Sequence, residues 1–278
     1  MGTPLNAEPA AALQASVLSA RLPGEVIRQR LREIHEEALA RSAHLGASNF
    51  SVIHPRDLEI LFHAYDEKFF SNALKGALGA RRLRFRLSRR MTRAGGRTAR
   101  VRLRSGEELF EIAIAVDLLF DGFKSGDRPT TVCGALCRSR LEALQRVFEH
   151  ELVHLIEMLC WGESHCCGAR FQDIAWRLFM HEAHTHQLIT RQERAADSGI
   201  HAGSEVTFEF EGRRLRGRVN RITKRATVLV ADREGLLYSD GVRYKAFYVP
   251  LRMLEQAEDA AQTPADGGAR GDSPENAV

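Results

Sequence analysis

The feature that most constrains this chain is the pentad His150-Glu151-Leu152-Val153-His154, set inside a stretch from Ser139 to Leu159 that reads as one long helix. Leu141, Leu144, Val147, Phe148, Leu152, Leu155, Ile156 and Leu159 recur at helical spacing and predict a buried stripe. On a helix, residues i and i+4 share a face, so His150 and His154 can reach one cation. Glu151 projects beside them, at a reach that suits a water on that cation rather than the cation itself. Zinc held in this way lowers the pKa of a bound water, and a neighbouring carboxylate can take the proton and return it to a leaving amine. A polar triplet on a helix whose other face is apolar favours a metal site over a solvent-facing His/Glu cluster.

A third protein ligand is needed, and several residues compete for the place. His165 lies in the loop after the motif helix and can fold back to the metal, so it is the expected ligand. Cys166, Cys167 and His181 are the alternatives. His184 and His186 read as solvated or helix-end residues. Cys133 and Cys137 are spaced more widely than the usual metal knuckle and, like Cys160, read as reduced packing residues.

Around this helix the pattern is mixed. Residues 25–44 and 57–70 carry helical periodicity, the second introduced by His54-Pro55. Segments 83–87, 101–103 and 110–116 alternate with period two, and Gly95-Gly96 and Ser105-Gly106 separate them, predicting a three-stranded antiparallel meander. Residues 121–131 read as a loop, and a further helix is expected over 169–179. The order predicts an α+β domain over residues 25–197. Four alternating segments then follow at 206–210, 214–219, 226–230 and 244–251, the pattern of a small all-β, SH3-like barrel over 198–254. Residues 1–24 show no clear period and are expected to be disordered, as is the acidic tail 255–278.

No apolar run reaches the roughly 18–20 residues that span a bilayer, and the N-terminus lacks the basic and apolar regions of a signal peptide. Five cysteines, an odd number, fit reduced thiols in the cytoplasm. The net charge of +4 hides an asymmetry, because six acids and one arginine fall between Glu255 and Val278. Eleven arginines and no acid fall between Arg81 and Arg104. Strand alternation puts Arg82, Arg84 and Arg86, and again Arg100, Arg102 and Arg104, on one face, opposite Leu83, Phe85, Leu87, Val101 and Leu103. Such a face suits a polyanion. Arg214, Arg216 and Arg218 make a second basic strand in the β-rich segment, with Tyr244, Phe247 and Tyr248 nearby in sequence. DNA or RNA is therefore an expected partner, held with little sequence preference and strong salt dependence.

In its surroundings the pentad resembles the SprT-like metalloprotease family, whose eukaryotic members are the Spartan proteases. The similarity runs from about Leu58 to Leu188. It rests on Ala64-Tyr65-Asp66, Phe69-Phe70, the stretch Ser88 to Gly96, the strand Phe110 to Val116, the pentad, and Arg170-Phe171-Gln172 opening the next helix. The resemblance implies one zinc ion, a zincin-type fold, a third histidine before the following helix, and cleavage of proteins bound or crosslinked to DNA, as in crosslink repair. Two departures stand beside it. Cys167 occupies the local register of the family's third histidine, and a β-rich segment replaces the four-cysteine ribbon of many bacterial relatives. The expectation is a zinc endopeptidase with Glu151 as general base and acid. The competing reading is a nucleic-acid-binding protein whose zinc is structural and closed by a fourth ligand; it leaves Glu151 without a task.

Overall fold

The computed structural model describes residues 7–257, apart from 105, 125, 126, 191, 192, 194–198 and 224. It is a mixed α+β chain that divides into two units between Arg194 and Ala195.

The first unit is built around the motif helix. In chain order it runs α1 (Ala7–Ser19), α2 (Gly24–Arg41), α3 (Pro55–Phe70), α4 (Ala73–Leu78), β1 (Arg82–Ser88), β2 (Gly96–Arg102), β3 (Glu108–Ala115), α5 (Val116–Asp121), β4 (Thr130–Val132), β5 (Ala135–Cys137), α6 (Arg140–Trp161) and α7 (Ala169–Phe179). Local chemistry sets the helix ends. His54 caps α3 by accepting from the Arg56 amide while Asp57 accepts from the His54 amide, and Pro55 occupies the first turn, where its missing donor costs nothing. Ser139 accepts from the Glu142 amide to start α6, and Gly162 ends it with a left-handed φ of 83°. Along α6, Leu141, Leu144, Phe148, Leu152, Leu155 and Ile156 are fully buried, so the predicted stripe is the centre of the core. Truncating one of these leucines to alanine would cost about 2–5 kcal/mol.

The three predicted strands form one sheet, but not a meander. The order is β1-β3-β2, with β1 parallel to β3 and β2 antiparallel to it. Burial explains the order. β3 is buried at every position after Glu108, which only a central strand satisfies, whereas β1 and β2 alternate and take the edges. Residues 130–137, placed partly in a loop by the sequence reading, form a β4–β5 hairpin. Its two central residues, Cys133 and Gly134, both have positive φ, as the tight turn matching strand twist requires. A side chain at 134 would also meet Glu182 Cβ at 2.7 Å.

The N-terminal expectation is corrected in its described part. Residues 7–19 form α1, whose Leu13 and Val17 are buried one turn apart. Arg177 ties the end of α1 down by donating to the carbonyls of Val17 and Ala20. The alanine-rich composition hides this two-residue stripe. Among the described residues no helix is long and apolar enough to cross a membrane.

The second unit contains β6 (Glu205–Phe210), β7 (Arg213–Ile222), β8 (Ala226–Leu237), β9 (Arg243–Val249), a short turn of 3-10 helix, and β10 (Glu255–Gln256). The five strands hydrogen-bond in the order β10-β6-β7-β8-β9, and among the described residues this ladder does not close into a barrel. Val206, Phe208, Val219, Val228 and Val249 form its apolar core. Glu255 and Gln256, expected in a disordered tail, pair with Thr207 and Val206. The remainder of that tail, 258–278, lies outside the described residues.

Candidate metal centre

Near the middle of α6, His150 and His154 bring their Nε2 atoms to 3.2 Å from each other. Both rings rest on the buried ring of Phe171 from α7, with centroids 4.8 and 4.6 Å away. Burial, reinforced by the neighbouring imidazole, pushes His150 down to about 3; burial also holds His154 down at about 4. Both are neutral at pH 7 and present lone pairs, the form a metal requires.

The third member of the cluster is Cys166. Its sulfur and the two imidazoles lie within 4.8 Å of one another, the spacing of ligands around a single ion. The expected ligand, His165, is exposed and does not belong to this group. In the turn after α6 the His165 amide donates to Glu157 Oε2 at 3.3 Å, the His165 side chain is exposed, and the Cys166 sulfur lies with the imidazoles. Cys167 is also exposed, with its sulfur 3.8 Å from His184 Nε2. His181 is committed elsewhere, its Nε2 2.7 Å from the fully buried carboxylate of Glu149, which also accepts from Tyr65 and Arg146. A His/His/Cys set suits zinc, which takes thiolate and imidazole together. Burial, then the adjacent Cys167, pushes the Cys166 thiol up, so ionising it needs a cation.

The imidazoles are held from behind. Ser164 Oγ donates to Glu157 Oε2 at 2.6 Å, so its oxygen accepts from His154 Nδ1 at 2.7 Å. That fixes the proton on Nδ1 and leaves Nε2 free. His150 Nδ1 faces Cys133 Sγ at 4.0 Å. The Cys133 thiol is buried and pushed up by that burial, and burial pushes Cys137 and Cys160 up to about 12. All five cysteines are free thiols.

Glu151 points from α6 toward the edge strand β2. Its side chain is buried, and Thr98 donates to Oε2 at 2.7 Å. Burial pushes this carboxyl up to about 8. Gly96 makes the approach possible: a Cβ there would fall 2.6 Å from Glu151 Oε1. His150, Glu151, His154 and Cys166 all line one open cavity of about 530 Å³, together with Arg93, Arg97, His184 and His186. In the sequence the last two histidines read as solvated or helix-end residues. The Cys133 amide and the Thr185 carbonyl, with a bridge between Val132 and His186, draw them to the cavity wall. Nothing in the sequence of β4, Thr130-Thr131-Val132, signals this pairing.

The arginines are distributed differently from the expected single face. In the sheet register Arg84 pairs with Glu111 and Arg100 with Phe110, neighbours on β3 that point to opposite sides. Arg82, Arg84 and Arg86 therefore lie on one face and Arg100 and Arg102 on the other, while Arg104 lies beyond β2. The positive charge is also partly answered. Arg84 and Arg86 both pair with Glu111, at 2.5 and 3.1 Å. In the second unit Arg214, Arg216 and Arg218 pair with Glu255, Glu205 and Asp240.

No known protein family, no characterised protein and no solved structure matches the chain.

Proposed function

We propose that this chain is a zinc-dependent endopeptidase of the SprT-like type, acting on proteins bound or crosslinked to nucleic acid. The observation that carries the reading is the convergence of two neutral imidazoles, one thiol and a buried carboxylate on a single open cavity. His150, His154 and Cys166 would hold the ion. Bound zinc supplies a Lewis acid for a carbonyl and lowers the pKa of its water. Glu151, held by Thr98 beside the ligands, serves as the group that takes a proton and delivers it to the leaving amine. Arg93 and Arg97 add positive charge at the cavity wall. The second unit, read as an SH3-like barrel left open between β9 and β10, would bind nucleic acid or a partner protein. Arg82 and its neighbours on β1 would hold a nucleic acid, so that cleavage follows from what is bound. The cytoplasm, where thiols stay reduced, suits a thiol ligand.

One observation favours a second reading. Thiolate is a frequent ligand of structural zinc, and His184, which lines the same cavity and lies 3.8 Å from the Cys167 sulfur, offers a fourth ligand. A nucleic-acid-binding protein with a closed, non-catalytic zinc site would use that set.

The test is zinc content measured alongside protein cleavage, with and without single-stranded DNA, for the wild type and Glu151→Gln. One zinc per chain in both, with DNA-stimulated cleavage only in the wild type, is expected. Zinc without cleavage of any substrate would transfer the case to the structural reading, and a chain without zinc would overturn both.

A further inference from the structure

We infer that Glu157, a residue outside the pentad, positions the metal site by fixing two of its three ligands at once. The inference rests on the reading of His150, His154 and Cys166 as metal ligands.

Glu157 lies three residues after His154, one turn along α6, and its side chain is only 1% exposed. A carboxylate buried to that degree is costly unless its oxygens are satisfied. Here each oxygen has an assigned task. Oε2 accepts from the Ser164 hydroxyl at 2.6 Å and from the His165 amide at 3.3 Å. Oε1 accepts from Arg170 Nε at 2.6 Å, and that guanidinium stacks on the Trp161 ring 4.6 Å from its centroid.

These contacts act on the ligands in two ways. Through Ser164, the carboxylate orients His154 and fixes its tautomer, because a hydroxyl that donates to Glu157 must accept from Nδ1. Through the His165 amide and Arg170, it clamps both sides of the loop between α6 and α7, the loop that carries Cys166. The same hydrogen bond holds the backbone immediately next to Cys166, so one carboxylate braces both the His154 ring and the segment that carries the sulfur. The chain Arg170–Glu157–Ser164–His154 thus links the start of α7 to the metal face of α6. Partners of this kind change metal affinity by about 10- to 100-fold in other sites.

Glutamine at 157 keeps the size but offers one acceptor oxygen where two are used, and it turns an amide donor toward either Arg170 or Ser164. The experiment measures zinc affinity of the full chain by competition with a chromophoric chelator, with cobalt(II) absorption as a second readout of thiolate ligation. Glu157→Gln should weaken zinc binding about 10- to 100-fold and diminish the sulfur-to-cobalt charge-transfer band. Ser164→Ala should weaken zinc binding without abolishing the band, and Ser164→Thr, which restores the hydroxyl, should recover most of the affinity. A merely structural role would lower the melting temperature of the metal-free protein and leave the zinc constant alone. Zinc affinity within twofold of wild type in both Glu157→Gln and Ser164→Ala overturns the inference. If Glu157→Gln fails to fold, the Ser164 pair decides. A wild type that binds no zinc defeats the metal reading itself, a result distinct from unchanged affinity in the variants.

Discussion

The Thr98 hydroxyl lies 2.7 Å from the Glu151 carboxylate and 2.9 Å from the Glu151 carbonyl oxygen, joining the edge strand β2 to the motif helix α6. The contact depends on Gly96, two residues earlier on the same strand. A methyl group at 96 would sit 2.6–2.9 Å from three atoms of the Glu151 side chain, well inside van der Waals contact. Gly96→Ala must therefore displace the carboxylate while leaving His150, His154 and Cys166 untouched. Zinc stoichiometry should stay at the wild-type value and cleavage should fall about 100-fold, the low end of what a positioned base contributes. Wild-type cleavage by Gly96→Ala would show that Glu151 does not act from this position.

The ligand set separates two neighbouring residues. Cys166→Ala removes a sulfur from the cluster, whereas His165→Ala removes an exposed ring. The cysteine variant should lose zinc on dialysis against a mild chelator, and the histidine variant should retain it. Measured zinc per chain after dialysis checks this directly. The reverse result would mean that the loop inverts when metal binds.

Glu111 contributes one pH-dependent part of the first unit's stability. Its burial alone would raise the carboxyl, but Arg86 and then Arg84 outweigh that and hold it below the ordinary carboxylate value. A depressed folded pKa adds stability above the ordinary value, and that stability is lost as pH falls through the lower, folded one. Both arginines are about half exposed, so solvent screening limits the gain to about 1 kcal/mol or less. Glu111→Gln should lower the urea midpoint at pH 7 and match wild type near the acid end of the titration. Trp161 and Trp176, the chain's two tryptophans, both lie in this unit and report its unfolding. A constant difference from neutral to acid pH would mean that the charge of Glu111 is irrelevant.

The site was legible where its signal is local and illegible where it depends on pairing. The i, i+4 spacing of His150 and His154, and the apolar stripe behind them, follow from one helix and were readable in full. The third member of the cluster was not, because the path of the loop after α6, which brings the Cys166 sulfur and not the His165 ring to the two imidazoles, has no sequence pattern. Strand positions were close, since alternation in β1 and β2 and continuous burial in β3 are written in the side chains. Strand order was expected to be that of a meander, although Leu109 to Ala115, apolar except for Glu111, already suits a central strand. The shared arginine face came from taking Val101 and Leu103 as core-facing, whereas in the register Thr98 and Arg100 share a side with Ile112 and Phe110. Glu111 was invisible to a count confined to residues 81–104, because it sits across the sheet from Arg84. Helix α1 escaped because two buried residues, Leu13 and Val17, are all that anchor it among alanines.

The same pairing decides which arginines are free to bind nucleic acid. Arg82 is exposed on β1 and has no acidic partner among the described residues, while Arg214 is held 2.6 Å from Glu255 and also donates to Thr207. A phosphate competing for Arg214 must first displace a carboxylate, and one competing for Arg82 displaces only water and counterions. Each phosphate contact to single-stranded DNA contributes about 0.7 to the slope of log affinity against log salt. Arg82→Ala should therefore reduce that slope by about 0.7 and weaken binding at low salt, while Arg214→Ala should change both much less. Salt-titrated fluorescence anisotropy with a labelled single strand makes the comparison. Equal losses in the two variants would show that the acidic partners do not hold their arginines, and no loss in either would remove nucleic acid from the β1 face.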